Sequence, residues 1–261
     1  MAERRAGRIV LTALLVAVLG YAAIAALLYF RQHDLVYFPA ATRVAAGTTD
    51  FELVSGGVRL RGWQVNPGRT DALIYFGGNA ERIEAWREPF AQWFPGRTIY
   101  LLAYRGFGAS EGRPRQDALL ADALALYDDV RRRHPQGDIA VIGRSLGSGV
   151  AAYVASQRPV GRLALVTPFD DLAGVAAHHH PWLPVRWLMT ERFPSAEFLH
   201  DFRGQVLVLR AGRDTVVPPA STDRLLAALP RPPQVVDFPD RGHNDLSDDP
   251  RFGAALVDFM R

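Results

Sequence analysis

Apolar positions fall into two regimes along the chain, one long unbroken run and then many short ones. From Ile9 to Phe30 there are 22 positions without a charge, enough as a helix to cross a hydrocarbon core of about 30 Å. This pattern predicts a basic leader over residues 1–8, a membrane-spanning segment over 9–30 and a connector over 31–50. Ala23-Ile24-Ala25 resembles the small-residue site of a cleavable signal peptide, but the apolar run continues past it through Leu27, Leu28, Tyr29 and Phe30, which favours an uncleaved anchor. Arg4, Arg5 and Arg8 precede the run and only Arg31 follows it closely. The positive-inside rule then leaves the N-terminus in the cytoplasm and places the rest on the outer, periplasmic or lumenal side. Tyr29, Phe30, Tyr37 and Phe38 bracket the exit as interfacial aromatics do.

Beyond residue 50 the runs shorten. FELV (51–54) and VRLRGWQV (58–65) alternate apolar with polar around Ser55-Gly56-Gly57, a hairpin signal. ALIYF (72–76), TIYLLAY (98–104), DIAVI (138–142), RLALVT (162–167), QVLVLRA (205–211) and QVVDF (234–238) are nearly continuous apolar runs of strand length. Helical patterns separate them: Ile83, Trp86, Phe90, Trp93 and Phe94 share one face, as do Leu119, Leu120, Ala123, Leu124, Tyr127 and Val130, and Arg251 to Met260 closes the chain. Strands that alternate with helices predict an α/β fold, a mostly parallel eight-strand sheet covered by helices, over residues 51–261. Residues 168–203, rich in proline and aromatics, interrupt the alternation and are expected to form a lid insertion.

Composition narrows the chemistry. The formal charge is +3, of which Arg4, Arg5 and Arg8 less Glu3 supply +2, leaving +1 for everything after the first thirty residues. That balance does not suit a nucleic-acid partner. The chain has no cysteine, which excludes disulfides, thiol nucleophiles and cysteine-rich metal sites.

The chemistry-bearing motif is Gly143-Arg144-Ser145-Leu146-Gly147, which follows an apolar strand and opens an apolar helix. In such a strand-to-helix elbow the serine is held in a strained conformation, so the nucleophile-elbow residues Gly143 and Gly147 must lack side chains. Ser145 is then the candidate nucleophile and Ser148, one turn on, a scaffold residue. A serine needs a base, and the base an orienting acid. Of seven histidines, His243 alone falls in a short loop after the last strand. Asp214, after the strand ending at Ala211, is the candidate acid, with Asp170 and Asp171 in reserve; a cap on the helix that starts near Pro218 is its competing role. The order Ser, Asp, His matches that of hydrolases with this elbow. The amides of Asn79 and Leu146 are the expected oxyanion donors, with a helix cap as the plainer role for Asn79. His178, His179 and His180 are adjacent and lack a carboxylate at ligand spacing, so no metal site is expected.

With LVYFP (35–39), YFGGNAE (75–81), AYRGFGASEG (103–112), GRSLGSG (143–149), RAGRDTVVP (210–218) and GHND (242–245), the chain resembles the α/β-hydrolase superfamily. Within it, the chain is similar to the membrane-anchored bud-emergence type and to the α/β-hydrolase-domain depalmitoylases. The resemblance implies a structural role for the AYRGFGASEG loop and no chemistry for Arg105 or Ser110. The chain departs from it in Gly77-Gly78-Asn79-Ala80, where members usually carry His-Gly-Asn-Ala, and in lacking the lipidated cysteines of the depalmitoylases.

The resulting expectation is a membrane-anchored serine hydrolase that cleaves an ester or thioester of a small or lipid-like acyl substrate without cofactor or metal. A peptidase or amidase with the same triad, and a non-catalytic membrane-anchored binding module, are the alternatives.

Overall fold

The computed structural model describes residues 2–261; Met1, the first residue of the basic leader, lies outside the described residues. Among the described residues the strands are β1 (Phe51–Ser55), β2 (Val58–Val65), β3 (Asp71–Phe76), β4 (Arg97–Leu102), β5 (Ile139–Arg144), β6 (Arg162–Val166), β7 (Gln205–Ala211) and β8 (Gln234–Phe238). The α-helices are α1 (Ala2–Val36), α2 (Arg87–Trp93), α3 (Gln116–Arg133), α4 (Leu146–Gln157), α5 (Leu172–His179), α6 (Val185–Leu188), α7 (Ser195–Leu199), α8 (Pro219–Ala228) and α9 (Pro250–Met260).

The strands form one sheet in the order β1-β2-β4-β3-β5-β6-β7-β8. β2 runs antiparallel to β1 and β4, and every pairing from β4 through β3 to β8 is parallel. The apolar patterns follow from position. β1, at the edge, buries every second residue, whereas β4 is buried throughout and β3 and β6 are buried beyond their first residue, as strands covered on both faces must be.

The eight predicted strands all form, β2, β7 and β8 with the predicted ends and the other five with ends shifted by a residue or two. β4 stops at Leu102 because Ala103 and Tyr104 already belong to the glycine-rich loop. The helix expected from Ile83 starts as a tight 3-10 turn over Ile83–Trp86 and becomes α-helical only at Arg87. Its aromatic face is retained: Trp86 stacks on Phe90 at 5.1 Å, and Phe90 meets Tyr75 of β3 edge-on at 5.2 Å.

The connector is the main difference. Helix α1 does not end at Phe30 but continues to Val36, since nothing from Arg31 to Val36 breaks a helix and Arg31 pairs with Asp34 one turn on at 2.8 Å. Residues beyond it are bound to the sheet domain. Thr42 Oγ1 accepts from the Gly108 amide (3.0 Å), the Trp63 indole donates to the Thr48 carbonyl (2.7 Å), and Asp50 accepts from the Gln64 amide (2.7 Å). The 168–203 insertion contains α5, α6 and α7, the last packed on α4.

Candidate active site

Ser145 sits where β5 turns into α4, with φ 50° and ψ −119°. A non-glycine residue in this region typically costs about 1–3 kcal/mol, which the surroundings must impose. The cause is close packing. A Cβ on Gly147 would come within 2.0 Å of the Phe76 carbonyl oxygen, and one on Gly143 within 2.3 Å of the Gly147 carbonyl oxygen. The Ser145 amide donates to the Val166 carbonyl of β6 (2.9 Å), and the fully buried Ser148 hydroxyl donates to the Ser145 carbonyl (2.6 Å). Ser148 therefore braces the turn.

The three expected triad residues are together. His243 Nε2 lies 2.9 Å from Ser145 Oγ, and His243 Nδ1 lies 2.7 Å from Asp214 Oδ2. The other Asp214 oxygen accepts from the amides of Val216 (2.8 Å) and Val217 (2.7 Å). Asp214 thus holds its own turn and the imidazole at once, while α8 begins at Pro219 without a side-chain cap. Both His243 and Asp214 are buried, so their contact is shielded from water and is worth more than a surface pair.

Leu146 opens α4, so its amide has no intrahelical acceptor. Neither it nor the Asn79 amide donates to any group among the described residues. The Asn79 side chain is engaged elsewhere: it accepts from the Phe38 amide (3.2 Å) and donates to the Val36 carbonyl. Asn79 therefore caps no helix; it joins the glycine loop to the end of α1.

The sequence motifs do not single out Glu81 and Arg144, which the structure joins to the loops that carry Gly78 and His243. Glu81, nearly buried, accepts from the Tyr75 hydroxyl, the Trp86 indole (2.7 Å), the Gly78 amide and the Arg144 guanidinium (2.7 Å). Arg144 also reaches the His243 carbonyl at 3.3 Å. Burial, the largest influence on Arg144, disfavours its charge, yet the Glu81 carboxylate with Tyr75 and Asp214 outweighs it and holds the guanidinium above the usual arginine range. Burial and then Glu81 push the Tyr75 phenol well above its ordinary value. The clue in sequence was slight: an acidic side chain three residues after Gly78, the spacing at which a carboxylate reaches back to an amide.

This network explains Gly77. A Cβ there would lie 2.4 Å from Ile83 Cγ2 and 3.1 Å from a Glu81 oxygen, so the space beside residue 77 is already occupied. The loop is held by Glu81, by Asn79 and by the buried Tyr104 hydroxyl, which donates to the Gly77 carbonyl at 2.9 Å.

The remaining candidates have other partners. Asp170 pairs with Arg224 (2.5 Å) and accepts from Ser221, and Asp171 caps α5 and pairs with Arg192 (3.1 Å). Arg105 forks Asp122 at 2.7 and 2.5 Å, and Ser110 accepts from the Arg61 amide and donates to the Ala103 carbonyl. Of the three adjacent histidines, His179 bonds the Val216 carbonyl (2.9 Å). No cluster of three metal-ligating residues occurs among the described residues.

A family model described as the alpha/beta hydrolase fold matches residues 71–188. An uncharacterized protein of Mycobacterium tuberculosis is 35% identical over 249 residues, covering 90% of this chain and 87% of the relative. The alpha/beta hydrolase domain-containing protein WAV2 of Arabidopsis thaliana is 30% identical over 218 residues, covering 73% and 70%. The chain belongs to the α/β-hydrolase superfamily. Among solved structures, the esterase Pf2001 of Pyrococcus furiosus superposes on this α/β-hydrolase with a TM-score of 0.66 at 16% identity, covering 82% of this chain and 92% of the esterase. At that identity the likeness is one of fold, and the β5–α4 elbow is the part of the fold on which such enzymes carry a nucleophile.

Proposed function

We propose that this α/β-hydrolase is a serine hydrolase of ester or thioester bonds, anchored in a membrane by α1. The observation that carries the reading is His243, which reaches Ser145 Oγ with one ring nitrogen and Asp214 with the other. Ser145 Oγ bonds to the acyl carbon while its proton passes to His243 Nε2, and the carbonyl electron pair moves onto oxygen. The Asn79 and Leu146 amides receive that oxygen, each such donor being worth about 3–4 kcal/mol in the transition state. Asp214 fixes the imidazole tautomer and stabilises its cation. Collapse breaks the bond to the leaving alcohol or thiol, which takes the proton from His243. Water then repeats the steps in reverse, releasing the acid and restoring Ser145. The substrate is a small or lipid-like acyl compound, and no step calls on a metal or cofactor.

The anchor reading is supported by the length and apolarity of α1, and the outward orientation of the catalytic domain by Arg4, Arg5 and Arg8 before the span. A reporter at the C-terminus that works only outside the cytoplasm should be active; activity in the cytoplasm would overturn the orientation. The chemistry is tested with a fluorophosphonate probe. Wild type should be labelled and Ser145→Ala should not, whereas Ser148→Ala should still react; a folded wild type that resists the probe would end the reading. Parallel assays on p-nitrophenyl esters and aminoacyl amides separate an esterase from a peptidase.

A further inference from the structure

The inserted segment between α5 and α7 lies along α1. In a helix that is otherwise mostly exposed, Ala25, Leu28, Gln32 and Val36 are half-buried, and spacings of three, four and four place them on one face. Beside the contact of His33 with Glu191 at 3.2 Å, hydrogen bonds at two levels tie that face to the insertion. Gln32 Oε1 accepts from the amide and hydroxyl of Thr190 at 2.8 and 3.0 Å. Higher on α1, the Tyr21 hydroxyl donates to the Trp182 carbonyl at 3.0 Å, and the two rings meet edge-on at 6.5 Å. At 1.5 Å per residue, Tyr21 and Gln32 are about 16 Å apart, so the chain from Thr190 back to Trp182 climbs about that far along α1. Tyr21 is itself about 14 Å, by the same rise, inside the end of the apolar run at Phe30. A bilayer crossed by α1 therefore has to accommodate the segment as well.

The composition of the segment suits that position. Pro181, Trp182, Leu183, Pro184, Val185, Trp187, Leu188 and Met189 are interrupted by one charge, Arg186, which faces back to Asp171 at 3.8 Å. Trp187 is 90% exposed and Trp182 53% exposed, a costly arrangement in water, and the contact with Tyr21 puts Trp182 well down among the acyl chains. The backbone is partly satisfied by the segment itself and its neighbour His180. Leu183 donates to His180, Trp187 and Leu188 to Pro184, and Met189 to Val185, while the two prolines have no amide hydrogen to satisfy. The amides of Trp182, Val185 and Arg186 are left for headgroups or water to meet.

Both elements also border the reacting serine. His179, at the base of the segment, bonds the Val216 carbonyl, and the Val216 amide bonds Asp214. On the other side, the end of α1 bonds Asn79 through Val36 and Phe38.

We propose that residues 181–189 form a second, non-spanning membrane contact seated in the outer leaflet beside α1, anchored by Trp182 and Trp187. The substrate of Ser145 is then an amphiphile whose acyl chain already lies in that leaflet. This deepens the reading of the chain as an α1-anchored serine hydrolase and rests on it.

The full-length protein in phosphatidylcholine vesicles provides the test. Tryptophan emission should be quenched by lipids brominated on the acyl chains, and Trp182→Phe with Trp187→Phe should remove that quenching while fluorophosphonate labelling confirms the fold. Trp187→Phe alone, at a position with almost no packing to lose, should remove part of it. In Trp187→Ser, the ratio of hydrolysis of a long-chain ester carried in the vesicles to that of a short soluble ester should fall about tenfold. Protein that resists an alkaline carbonate wash yet shows no quenching would overturn the second contact and leave the anchor intact. Protein that washes off would overturn the anchor and the proposal with it. Quenching with an unchanged substrate ratio would overturn the leaflet-resident substrate.

Discussion

Arg144 donates a 2.7 Å hydrogen bond to Glu81 and a longer one to the carbonyl of His243, so a single guanidinium joins the glycine loop after β3 to the loop that carries His243. Its partner is as buried as itself, and removing one member of such a pair strands the other. Glu81→Gln is expected to lower stability by about 3–5 kcal/mol and to reduce turnover as the Gly78 loop loosens. Glu81→Gln with Arg144→Met should be less destabilised than the sum of the single changes. Denaturant melts of the four proteins measure this, and strict additivity would mean that the two side chains act separately.

Asp214→Asn keeps the shape of the acid but favours the wrong imidazole tautomer. Turnover of a p-nitrophenyl ester should fall by about 10⁴, with the two turn amides still able to find an acceptor. An unaltered rate would transfer the role to another carboxylate, with Asp170 and Asp171 the first to test.

Gly77→His introduces the side chain usual in the resembling proteins, and here it has no room. The contact with Ile83 predicts a loss of about 1–3 kcal/mol from overpacking. Gly77→His combined with Ile83→Ala should recover part of it in thermal melts. A single variant that is more stable or more active than wild type would show that the loop yields easily.

Asp249 begins α9 and bonds Arg251 through both the side chain and the amide, which hold its carboxyl at about 2 against an ordinary 3.8. A depressed folded pKa means stability that is complete above the ordinary value and lost as the pH falls through the folded one. Between pH 3.8 and about 2 the wild type should therefore lose stability more steeply than Asp249→Asn, which keeps an acceptor but has no charge to lose. Parallel melting-temperature curves across that window would contradict the assignment.

Much of the fold was legible because buried parallel strands appear as apolar runs, and the runs at 58–65, 205–211 and 234–238 became β2, β7 and β8 without adjustment. Ser145, Asp214 and His243 could be found because each follows a strand, where the order of elements alone brings them to one end of the sheet. Glu81 and Arg144 could not, since their meeting depends on how β3 and β5 pair and on which side of each strand end the side chain emerges. The extension of α1 to Val36 was hidden for a different reason. A change from apolar to polar residues marks the edge of a membrane, and a helix is indifferent to it.

On the proposed reading of α1 as the anchor, that unbroken helix is a ruler as well as a tether. One residue added between Tyr21 and Gln32 would rotate everything before it by about 100° and lift it by 1.5 Å, taking Tyr21 off the face that meets Trp182. Three or four residues would restore the facing but shift it by a full turn. The stretch from Tyr21 to Phe38 is thus held to a particular number of residues by a requirement of phase, although none of its side chains touches the reacting atoms.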